Sequence, residues 1–354
     1  MLGARKIKIG NCYVGGGARC FIIAEAGVNH NGDIKLAKKL IDIALEAGAD
    51  AVKFQTFRTE EVVSNIAAKA RYQQETTGAA GSQFGMLKKL ELTEKDFRDL
   101  FAFARKQGIV FLSTPFDKRS VDLLDELAVP AFKIPSGEIT NVPLLTHIAS
   151  KNKPVILSTG MSTLSDIEEA LRALREEGAD DIILLHCVSS YPAEVEDINL
   201  RAIETLECAF GLPAGLSDHT VGIIVPIAAV AMGACVIEKH FTLDKSLPGP
   251  DHRVSLEPAE LKQLVMAIRD VEKAMGNGIK TPAKEESKNK TVARRSLVAR
   301  VDIPRGATIT EEMVSIKRPG GGIEPKYINT IIGKKASHNI RRDELIIFSK
   351  LLKS

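Results

Sequence analysis

Eight short apolar runs alternate with helical segments along most of the chain, and this alternation restricts the possible folds more than any other feature. The runs, rich in Ile, Val, Leu and Phe, are Phe21–Glu25, Ala51–Gln55, Ile109–Ser113, Ala131–Pro135, Val155–Ser158, Ile182–Cys187, Ala214–Ser217 and Cys235–His240. Segments of helical periodicity lie between and after them, for example Ile34–Ala47, Glu94–Gln107 and Pro258–Met275. Continuous apolar strands that alternate with amphipathic helices are typical of a parallel sheet buried on both faces.

The number and spacing of these units predict the fold class. Eight strand–helix units in about 260 residues match the size of an α/β protein with a (β/α)8 TIM barrel, a closed parallel sheet surrounded by helices. An open doubly wound sheet is the alternative. No Gly-x-Gly-x-x-Gly motif follows the first strand, and Gly15-Gly16-Gly17 precedes that strand, so we interpret the glycine run as a turn.

The pattern changes after about residue 280. Residues 281–293 are polar and lack an apolar stripe, which predicts a linker between a barrel domain at 1–280 and a second domain at 294–354. Short strand and turn segments predict that this second domain is small and mostly β. Residues 280–354 carry 17 basic and 8 acidic side chains, a net charge of +9, whereas the preceding residues have a net charge of −6. This asymmetry indicates a solvated basic face, a basic cap on an acidic barrel, or an arginine offered to an anionic ligand.

Composition argues against several classes of function. Because the net charge is only +3, Trp is absent and aromatic residues make up 5%, we do not expect nucleic-acid binding. The longest apolar run, Ile223–Ile237, contains Pro226 and is too short to cross a bilayer, and the N-terminal residues lack a signal-peptide core. The five cysteines form no Cys-x-x-Cys motif, which favours free thiols. We therefore expect a cytoplasmic protein without nucleic-acid or membrane partners.

Polar residues at the carboxyl ends of the strands are the candidates for chemistry, because the active site of a (β/α)8 barrel lies at that end. They are Glu25, Lys53, Gln55, Thr114, Lys133, Ser136, Glu138, Ser158, Ser189, Tyr191, Ser217, His219, Glu238 and His240. A lysine in a buried strand is costly unless it is paired, so Lys53 and Lys133 predict a bound phosphate or carboxylate. Ion pairs inside the barrel, Lys53 with Glu25 and Lys133 with Glu138, are the alternative.

Two histidines, His219 and His240, end the seventh and eighth strands, which are neighbours in this topology. Together they would hold one divalent cation and leave positions open for water and substrate. Otherwise His219 makes a loop hydrogen bond and His240 is a satisfied core group. Imidazole ligands by themselves favour Zn, Fe or Ni over Mn. The loop 247–253, which follows the eighth strand and carries Asp251, is either a functional loop or a plain turn.

Short motifs at these strand ends are similar to those of a known family. They read AEAGVNHNG at 24–32, AVKFQTF at 51–57, STPFD at 113–117, KIPSGE at 133–138, LSTGM at 157–161, GLSDHT at 215–220, EKHFTLD at 238–244 and GPDH at 249–252. They resemble the bacterial and archaeal sialic acid synthases, phosphoenolpyruvate-condensing enzymes that include the N-acetylneuraminate and legionaminic acid synthases. RRSLVA at 294–299, DIPRGATIT at 302–310 and KRPGGGI at 317–323 resemble the antifreeze-like (SAF) domain of those enzymes. The resemblance covers nearly the whole chain.

The resemblance implies a role for each residue that matches a family motif. Residues expected to bind phosphoenolpyruvate are Lys53, Thr114, Lys133, Ser136, Ser158 and Ser217. Residues expected to bind the sugar are Gln55, Ser189, Tyr191, Asp251 and Arg318. The expected catalytic residues are Glu25, Glu138, Tyr191 and Asp251, of which Glu138 matches the carboxylate that handles the attacking water. His219 and His240 match metal ligands, with Mn²⁺ as the family's usual metal and Mg²⁺ or Co²⁺ as alternatives.

The resemblance also implies a reaction and an assembly. We expect an N-acetylneuraminate synthase, a transferase that condenses phosphoenolpyruvate with open-chain N-acetylmannosamine and water and releases phosphate by C–O cleavage. Arg318 matches an arginine that reaches from the cap domain of one subunit into the partner's barrel, which implies a domain-swapped homodimer. Ser189 stands where the family usually has Asn, and the legionaminic acid branch more often has Ser. An N,N'-diacetyllegionaminate synthase acting on 2,4-diacetamido-2,4,6-trideoxymannose is therefore the alternative.

Two functions of other classes stay open. A Schiff-base aldolase would use Lys53 or Lys133 as its nucleophile and would keep its activity in the presence of a chelator. A non-catalytic protein would bind ice or glycan through the small domain and use the barrel as a scaffold. Converging Lys, Glu and His side chains at strand ends argue against a scaffold, which has no use for them.

Overall fold

The computed structural model describes residues 5–352, and the chain divides into two compact units, one ending at Gly276 and one beginning at Asn277. Each unit has a hydrophobic core of its own. Within the described residues, no helix is both long enough and apolar enough to cross a membrane.

The first unit contains the predicted alternation of strands and helices. Its strands are β1 (Ile7–Ile9), β2 (Cys12–Val14), β3 (Phe21–Gly27), β4 (Ala51–Thr56), β5 (Val110–Pro115), β6 (Phe132–Ile134), β7 (Val155–Ser158), β8 (Ile182–Cys187), β9 (Ala214–Asp218) and β10 (Val236–His240). Its helices are α1 (Ile34–Ala47), α2 (Thr59–Val62), α3 (Arg71–Thr77), α4 (Gln83–Leu90), α5 (Glu94–Gln107), α6 (Lys118–Glu126), α7 (Val142–Ala149), α8 (Leu164–Glu176), α9 (Ala202–Phe210), α10 (Ile224–Ala231) and α11 (Pro258–Met275). The α1 and α5 helices begin after the capping residues Asp33 and Thr93, whose side chains accept backbone N–H groups of the first turn.

Strands β3 to β10 form one parallel sheet that curls into a barrel. Their order is β5-β4-β3-β10-β9-β8-β7-β6, so each strand lies beside its neighbours in the chain and β10 pairs with β3. The two end strands, β5 and β6, lie next to each other. This arrangement confirms the (β/α)8 barrel and excludes the open doubly wound sheet. All eight predicted strands are present, with ends that differ by at most two residues.

The interior of the barrel is divided into an apolar half and a polar half, because alternate residues of each strand face inward. Apolar side chains fill the amino-terminal half and form one buried cluster with the antiparallel β1–β2 hairpin: Ile7, Ile9, Val14, Phe21, Ile23, Ala51, Leu112, Ala131, Ile156, Ile183, Leu185 and Val236. The positions that follow toward the carboxyl ends are polar and buried, for example Glu25, Lys53, Thr114 and Glu238. The charged side chains inside the barrel therefore lie toward the carboxyl ends of its strands.

Two parts of the first unit differ from the sequence expectations. The β1–β2 hairpin was not predicted, although the turn at Gly15-Gly16-Gly17 is confirmed by φ angles of 79°, 56° and 77°. Helices α2, α3 and α4 occupy the segment between β4 and α5, residues 57–93, which we call the 57–93 insertion. Its helices have four, seven and eight residues, too few for a helical period to be distinct in the sequence.

The second unit is small and mostly β, as predicted. It contains α12 (Lys284–Ala293), β11 (Ser296–Ala299), β12 (Val314–Lys317) and α13 (Ile328–Ile331), and β11 pairs with β12 antiparallel. Its core is apolar and includes Leu297, Ile309, Val314 and Ile346. Helix α12 lies in the stretch predicted as a linker, and none of its side chains is buried, which agrees with the missing apolar stripe.

Candidate active site

One cavity of about 540 Å³ opens at the carboxyl ends of the barrel strands, and it collects most of the predicted site residues. Those lining it are Glu25, Lys53, Gln55, Thr114, Lys133, Ser136, Ser158, Ser189, Tyr191, Ser217, His219, His240 and Asp251. Its volume is within the usual range for a site that encloses small-molecule substrates. The arrangement follows from the sheet, since parallel strands bring all their carboxyl ends to the same rim.

The two predicted lysines lie on the cavity floor, which we define as Lys53, Thr114, Lys133, Ser158, Ser217 and Glu238. The Lys53 Nζ lies 2.7 Å from Glu25 Oε2 and donates to Thr114 Oγ1 at 2.9 Å. The Lys133 Nζ donates to Ser158 Oγ at 2.7 Å. Both lysines are almost completely buried, so their ammonium groups meet only protein groups and the cavity.

A glutamate with no predicted role, Glu238, connects the two lysines. Its carboxylate lies 3.6 Å from the Nζ of each lysine and accepts a hydrogen bond from Ser217 Oγ at 2.8 Å. Its spacing of two residues from His240 is the sequence signal that places it on the inner face of β10. Of the two ion pairs considered as the alternative to a bound anion, that of Lys53 with Glu25 is present, whereas Lys133 faces Glu238 and not Glu138.

Glu138 does not line the cavity. It ends a short 3-10 turn, Ser136–Glu138, and its carboxylate accepts a hydrogen bond from Asn141 Nδ2 at 2.7 Å. The turn directs the side chain toward the start of α7, away from the strand end where we expected it. Its role with the attacking water stays a prediction that requires the carboxylate to leave Asn141.

The charges on the floor affect one another. Burial raises the pKa of Glu25 to about 7 against the opposing effect of Lys53. At Glu238, burial is outweighed by the charges of Lys133 and Lys53, which lower the pKa below its usual range. At Lys53, the neighbouring carboxylates outweigh burial and raise the pKa, whereas burial dominates at Lys133 and lowers its pKa. Glu238 is thus firmly ionised, and Lys133 is the less compensated cation.

The two histidines converge above this floor, with ring centroids 5.6 Å apart. His219 Nδ1 lies 2.9 Å from the Val188 carbonyl oxygen, which only accepts, so Nδ1 carries a proton, and in the neutral imidazole Nε2 keeps its lone pair. His240 Nδ1 is buried and has no hydrogen-bond partner among the residues that the structure describes. A backbone acceptor on one ring nitrogen is the usual support of a metal-binding histidine. Within residues 5–352 no group of three or more His, Cys, Asp and Glu side chains is arranged around a common metal position, so the protein offers two imidazoles and leaves other positions open.

Two serines that line the cavity, Ser136 and Ser189, lie against the backbone of Gly160. The Gly160 N–H donates to Ser136 Oγ at 2.9 Å. A Cβ at this glycine would lie 2.8 Å from Ser136 Oγ and closer still to Ser189 Oγ. Gly160 is therefore the residue that lets the two serine hydroxyls approach the same backbone segment.

The outer side of the cavity includes residues that we did not predict. The 57–93 insertion contributes Tyr72, whose ring stacks on Tyr191 with centroids 5.1 Å apart and planes 25° apart, and it contributes the buried Gln73. Asp251, from the loop after β10, is buried there, and burial raises its pKa to about 6. Searching the strand ends could not find Tyr72 or Gln73, because they lie on a short helix within a connection.

Arg318, the remaining predicted residue, lies in the second unit. It directly follows β12, and its side chain is exposed. Its expected contact with a barrel stays a prediction.

Comparison with known proteins gives matches along nearly the whole chain. The model of the NeuB family matches residues 40–280, and that of the SAF domain matches residues 294–352. An N,N'-diacetyllegionaminic acid synthase of Campylobacter jejuni subsp. jejuni serotype O:2 is 54% identical over 330 residues, 93% of this chain and 99% of the relative. An N,N'-diacetyllegionaminic acid synthase of Legionella pneumophila is 49% identical over 341 residues, 95% and 96% of the two chains. A crystal structure of N-acetylneuraminic acid (sialic acid) synthetase from Leptospira borgpetersenii serovar Hardjo-bovis has a TM-score of 0.72 and 39% identity, covering 81% of this chain and 95% of that chain.

Proposed function

Because the chain belongs to the NeuB family, we propose that it condenses phosphoenolpyruvate with open-chain 2,4-diacetamido-2,4,6-trideoxymannose and water, giving N,N'-diacetyllegionaminate and phosphate. It is a transferase of the sialic acid synthase type. The proposal prefers the alternative, an N,N'-diacetyllegionaminate synthase, to the expected N-acetylneuraminate synthase. The reason is that relatives 54% and 49% identical to this chain are named for the legionaminic acid product.

The observation that carries the proposal is the cavity floor, where Lys53 and Lys133 reach one buried space from separate strands. Two ammonium groups with the hydroxyls of Thr114, Ser158 and Ser217 suit a small ligand that carries both phosphate and carboxylate. Phosphoenolpyruvate is such a ligand. Lysine in this setting acts as a point charge that holds the phosphate while the C–O bond to it breaks.

In the reaction, the C3 carbon of phosphoenolpyruvate attacks the sugar aldehyde, water adds at C2, and phosphate leaves. The lysines and hydroxyl groups of the floor hold the phosphate and the carboxylate, and Tyr191 and Asp251 line the side on which the sugar binds. His219 and His240 fit a divalent cation such as Mn²⁺, which when bound would supply Lewis-acid polarisation of the aldehyde oxygen. His219 holds its Nδ1 proton toward Val188 and so keeps Nε2 available in the cavity.

N-acetylmannosamine is the second candidate sugar. This candidate is supported by the 39% identity between this chain and the Leptospira protein named N-acetylneuraminic acid (sialic acid) synthetase. The apolar lining of the outer cavity favours the diacetamido sugar, whose second acetyl group and C6 methyl group replace hydroxyls. This lining includes Val62, Val63, Met86 and Leu87 of the 57–93 insertion.

We also propose a homodimer in which the partner's Arg318 completes the sugar site. Two observations support this assembly. The barrel region carries a net charge of −6 and the C-terminal region +9. Large apolar side chains after β7, β8 and β9 are 62–80% exposed at the cavity end of the barrel: Met161, Val195, Val221 and Ile224. Exposed apolar groups of this kind mark interaction surfaces.

A phosphate-release assay across a panel of sugars tests the proposed reaction. We expect the highest kcat/KM with 2,4-diacetamido-2,4,6-trideoxymannose, a lower value with N-acetylmannosamine and no release with mannose, and we expect EDTA to abolish release and Mn²⁺ to restore it. Equal or better turnover of N-acetylmannosamine would contradict the choice of sugar. Activity that persists in EDTA, together with borohydride trapping of a lysine adduct, would instead support the Schiff-base aldolase.

A further inference from the structure

Four aromatic rings connect the two histidines to the outer side of the cavity: those of His219, His240 and Tyr191 form a triangle, with Tyr191 also 6.1 Å from His240, and that of Tyr72 follows Tyr191. The centroid of His219 lies 5.6 Å from that of His240 and 4.2 Å from that of Tyr191, which in turn lies 5.1 Å from that of Tyr72. Tyr72 is thus separated from the reacting end of the cavity by the Tyr191 ring. A sugar whose aldehyde lies beside the histidines can extend past Tyr191 toward Tyr72.

The hydroxyl of Tyr72 is prepared to donate a hydrogen bond. It accepts one from Gln73 Nε2 at 3.2 Å, and no acceptor for its own proton is present within residues 5–352. Burial, aided by the Asp251 carboxylate, raises the pKa of the phenol, so the hydroxyl keeps this proton. A half-buried phenol with an unused proton is able to donate a hydrogen bond to an acceptor on the ligand.

Gln73 fixes the position of this hydroxyl. Its Oε1 accepts the Ala70 N–H at 3.0 Å and the Gln83 Nε2 at 3.4 Å, so the carboxamide orientation is set by the start of α3 and by α4. The stacking on Tyr191 fixes the ring of Tyr72 from the other side. The insertion therefore presents one oriented donor, supported on both sides, to the outer cavity.

We propose that Tyr72 is a specificity-determining residue that recognises the acetamido group on the fourth carbon of the sugar, with its O–H donating to the acetamido carbonyl. This inference rests on the proposed function. A carbonyl oxygen only accepts, which matches the unused proton of Tyr72, and the acetyl methyl group suits nearby Val63, Met86 and Leu87. A hydroxyl at the same carbon is shorter and brings no methyl group to this wall.

The test is a comparison of two sugars that differ only at the fourth carbon: 2,4-diacetamido-2,4,6-trideoxymannose and 2-acetamido-2,6-dideoxymannose. Phosphate release is measured with both for the full-length wild type and for Tyr72→Phe, which keeps the ring and its stacking. We expect Tyr72→Phe to lower kcat/KM for the diacetamido sugar about tenfold, which is the effect of one lost hydrogen bond. We expect kcat/KM for the other sugar and the KM for phosphoenolpyruvate to stay unchanged. Tyr13→Phe makes the same chemical change on an exposed tyrosine of the β1–β2 hairpin, and we expect it to behave as wild type.

The outcomes separate this inference from the proposed function. Suppose that the wild type prefers the diacetamido sugar but Tyr72→Phe lowers kcat/KM equally for both sugars, or for neither. The role of Tyr72 is then wrong and the proposed function stands. If wild type shows no preference for the acetamido group at C4, both are wrong. Tyr72→Leu, which also removes the stacking, gives a second reading: we expect it to reduce the preference between the two sugars at least as much as Tyr72→Phe does, and an unchanged preference would overturn the inference.

Discussion

Gly160 is a residue at which one added methyl group would disturb the cavity directly. Its Cβ would lie 2.8 Å from Ser136 Oγ and 3.2 Å from Cys187 Sγ, and it would overlap Ser189 Oγ. Both serines belong to the predicted ligand set, and they would have to turn away. We expect Gly160→Ala to lower kcat/KM for phosphoenolpyruvate at least about tenfold, because a hydroxyl that leaves its place removes a hydrogen bond from the ligand.

The matched control is Gly85→Ala. A Cβ at Gly85 would meet only Ser82 Oγ, at an ordinary 3.6 Å, and alanine favours the α4 helix more than glycine does. Steady-state kinetics and thermal unfolding of both variants give the comparison. Gly160→Ala with wild-type affinity for phosphoenolpyruvate would show that the Ser136 hydroxyl does not bind it.

His30, in the loop after β3, is a buried neutral histidine that makes stability depend on pH. Its Nδ1 accepts the Gly32 N–H at 3.0 Å, so protonation would break that bond. Burial, with repulsion from His252, lowers its pKa from 6.5 to about 4. Between pH 6.5 and pH 4, His30 is protonated in the unfolded chain but stays neutral in the folded chain. The free energy of unfolding therefore falls as the pH falls.

We expect His30→Asn, whose Oδ1 can replace Nδ1 as the acceptor, to reduce this acid sensitivity. Urea unfolding near pH 7 and near pH 4.5 measures it. The loss of unfolding free energy on acidification should be smaller than in wild type by about 2–3 kcal/mol. Part of the sensitivity remains, since burial also lowers the pKa of His252 to about 4. The exposed His338, changed to Asn, should leave the loss unchanged, and an equal loss in wild type and His30→Asn would contradict the assignment to His30.

At the scale of elements, the barrel strands were predictable because each has two sequence signals at once. The strand Ala51–Thr56, for example, begins with apolar residues and carries Lys53 and Gln55 toward the cavity. The apolar run indicates the strand, and these two polar residues indicate which of its ends lies at the site. The β1–β2 hairpin has strands of three residues, too short for a period. Its position is set by Ile7, Ile9 and Val14 packing under the barrel, a long-range contact that local sequence does not reveal.

The cavity likewise contains residues that local sequence reveals and residues that only tertiary contacts reveal. The residues facing it from strand ends were predictable from the twofold period and from the strands' shared direction, as at Lys53 and Lys133. Glu138 was placed in the cavity by proximity in sequence, but the 3-10 turn at its position directs the carboxylate to Asn141. Tyr72 reaches the cavity from the 57–93 insertion, and only its tertiary contact with Tyr191 reveals this.

At the scale of the whole molecule, each unit buries a core of its own and contains part of the predicted site. The barrel contains the cavity floor and the histidines, and the second unit contains Arg318, whose place at a barrel belongs to the proposed homodimer. Opposite net charges favour contact between the basic region of one copy and the acidic region of another copy. A C2 dimer makes this contact twice. The proposed homodimer makes this contact a condition of activity.

Mixed dimers test whether Arg318 acts in the partner's barrel. Lys53→Met removes a floor charge and Arg318→Ala removes the cap arginine, so we expect each variant alone to be severely impaired. A heterodimer of the two has one intact barrel, which receives Arg318 from the chain that carries Lys53→Met. Co-refolding equal amounts should therefore restore about a quarter of wild-type phosphate release, since about half of the dimers are mixed and each has one complete site.

Lys53→Met mixed with Lys133→Met is the matched control, because both changes lie on the barrel floor and no complete site forms. Full activity of Arg318→Ala alone would rule out the cap role, and no recovery in the first mixture would place Arg318 at the barrel of its own chain.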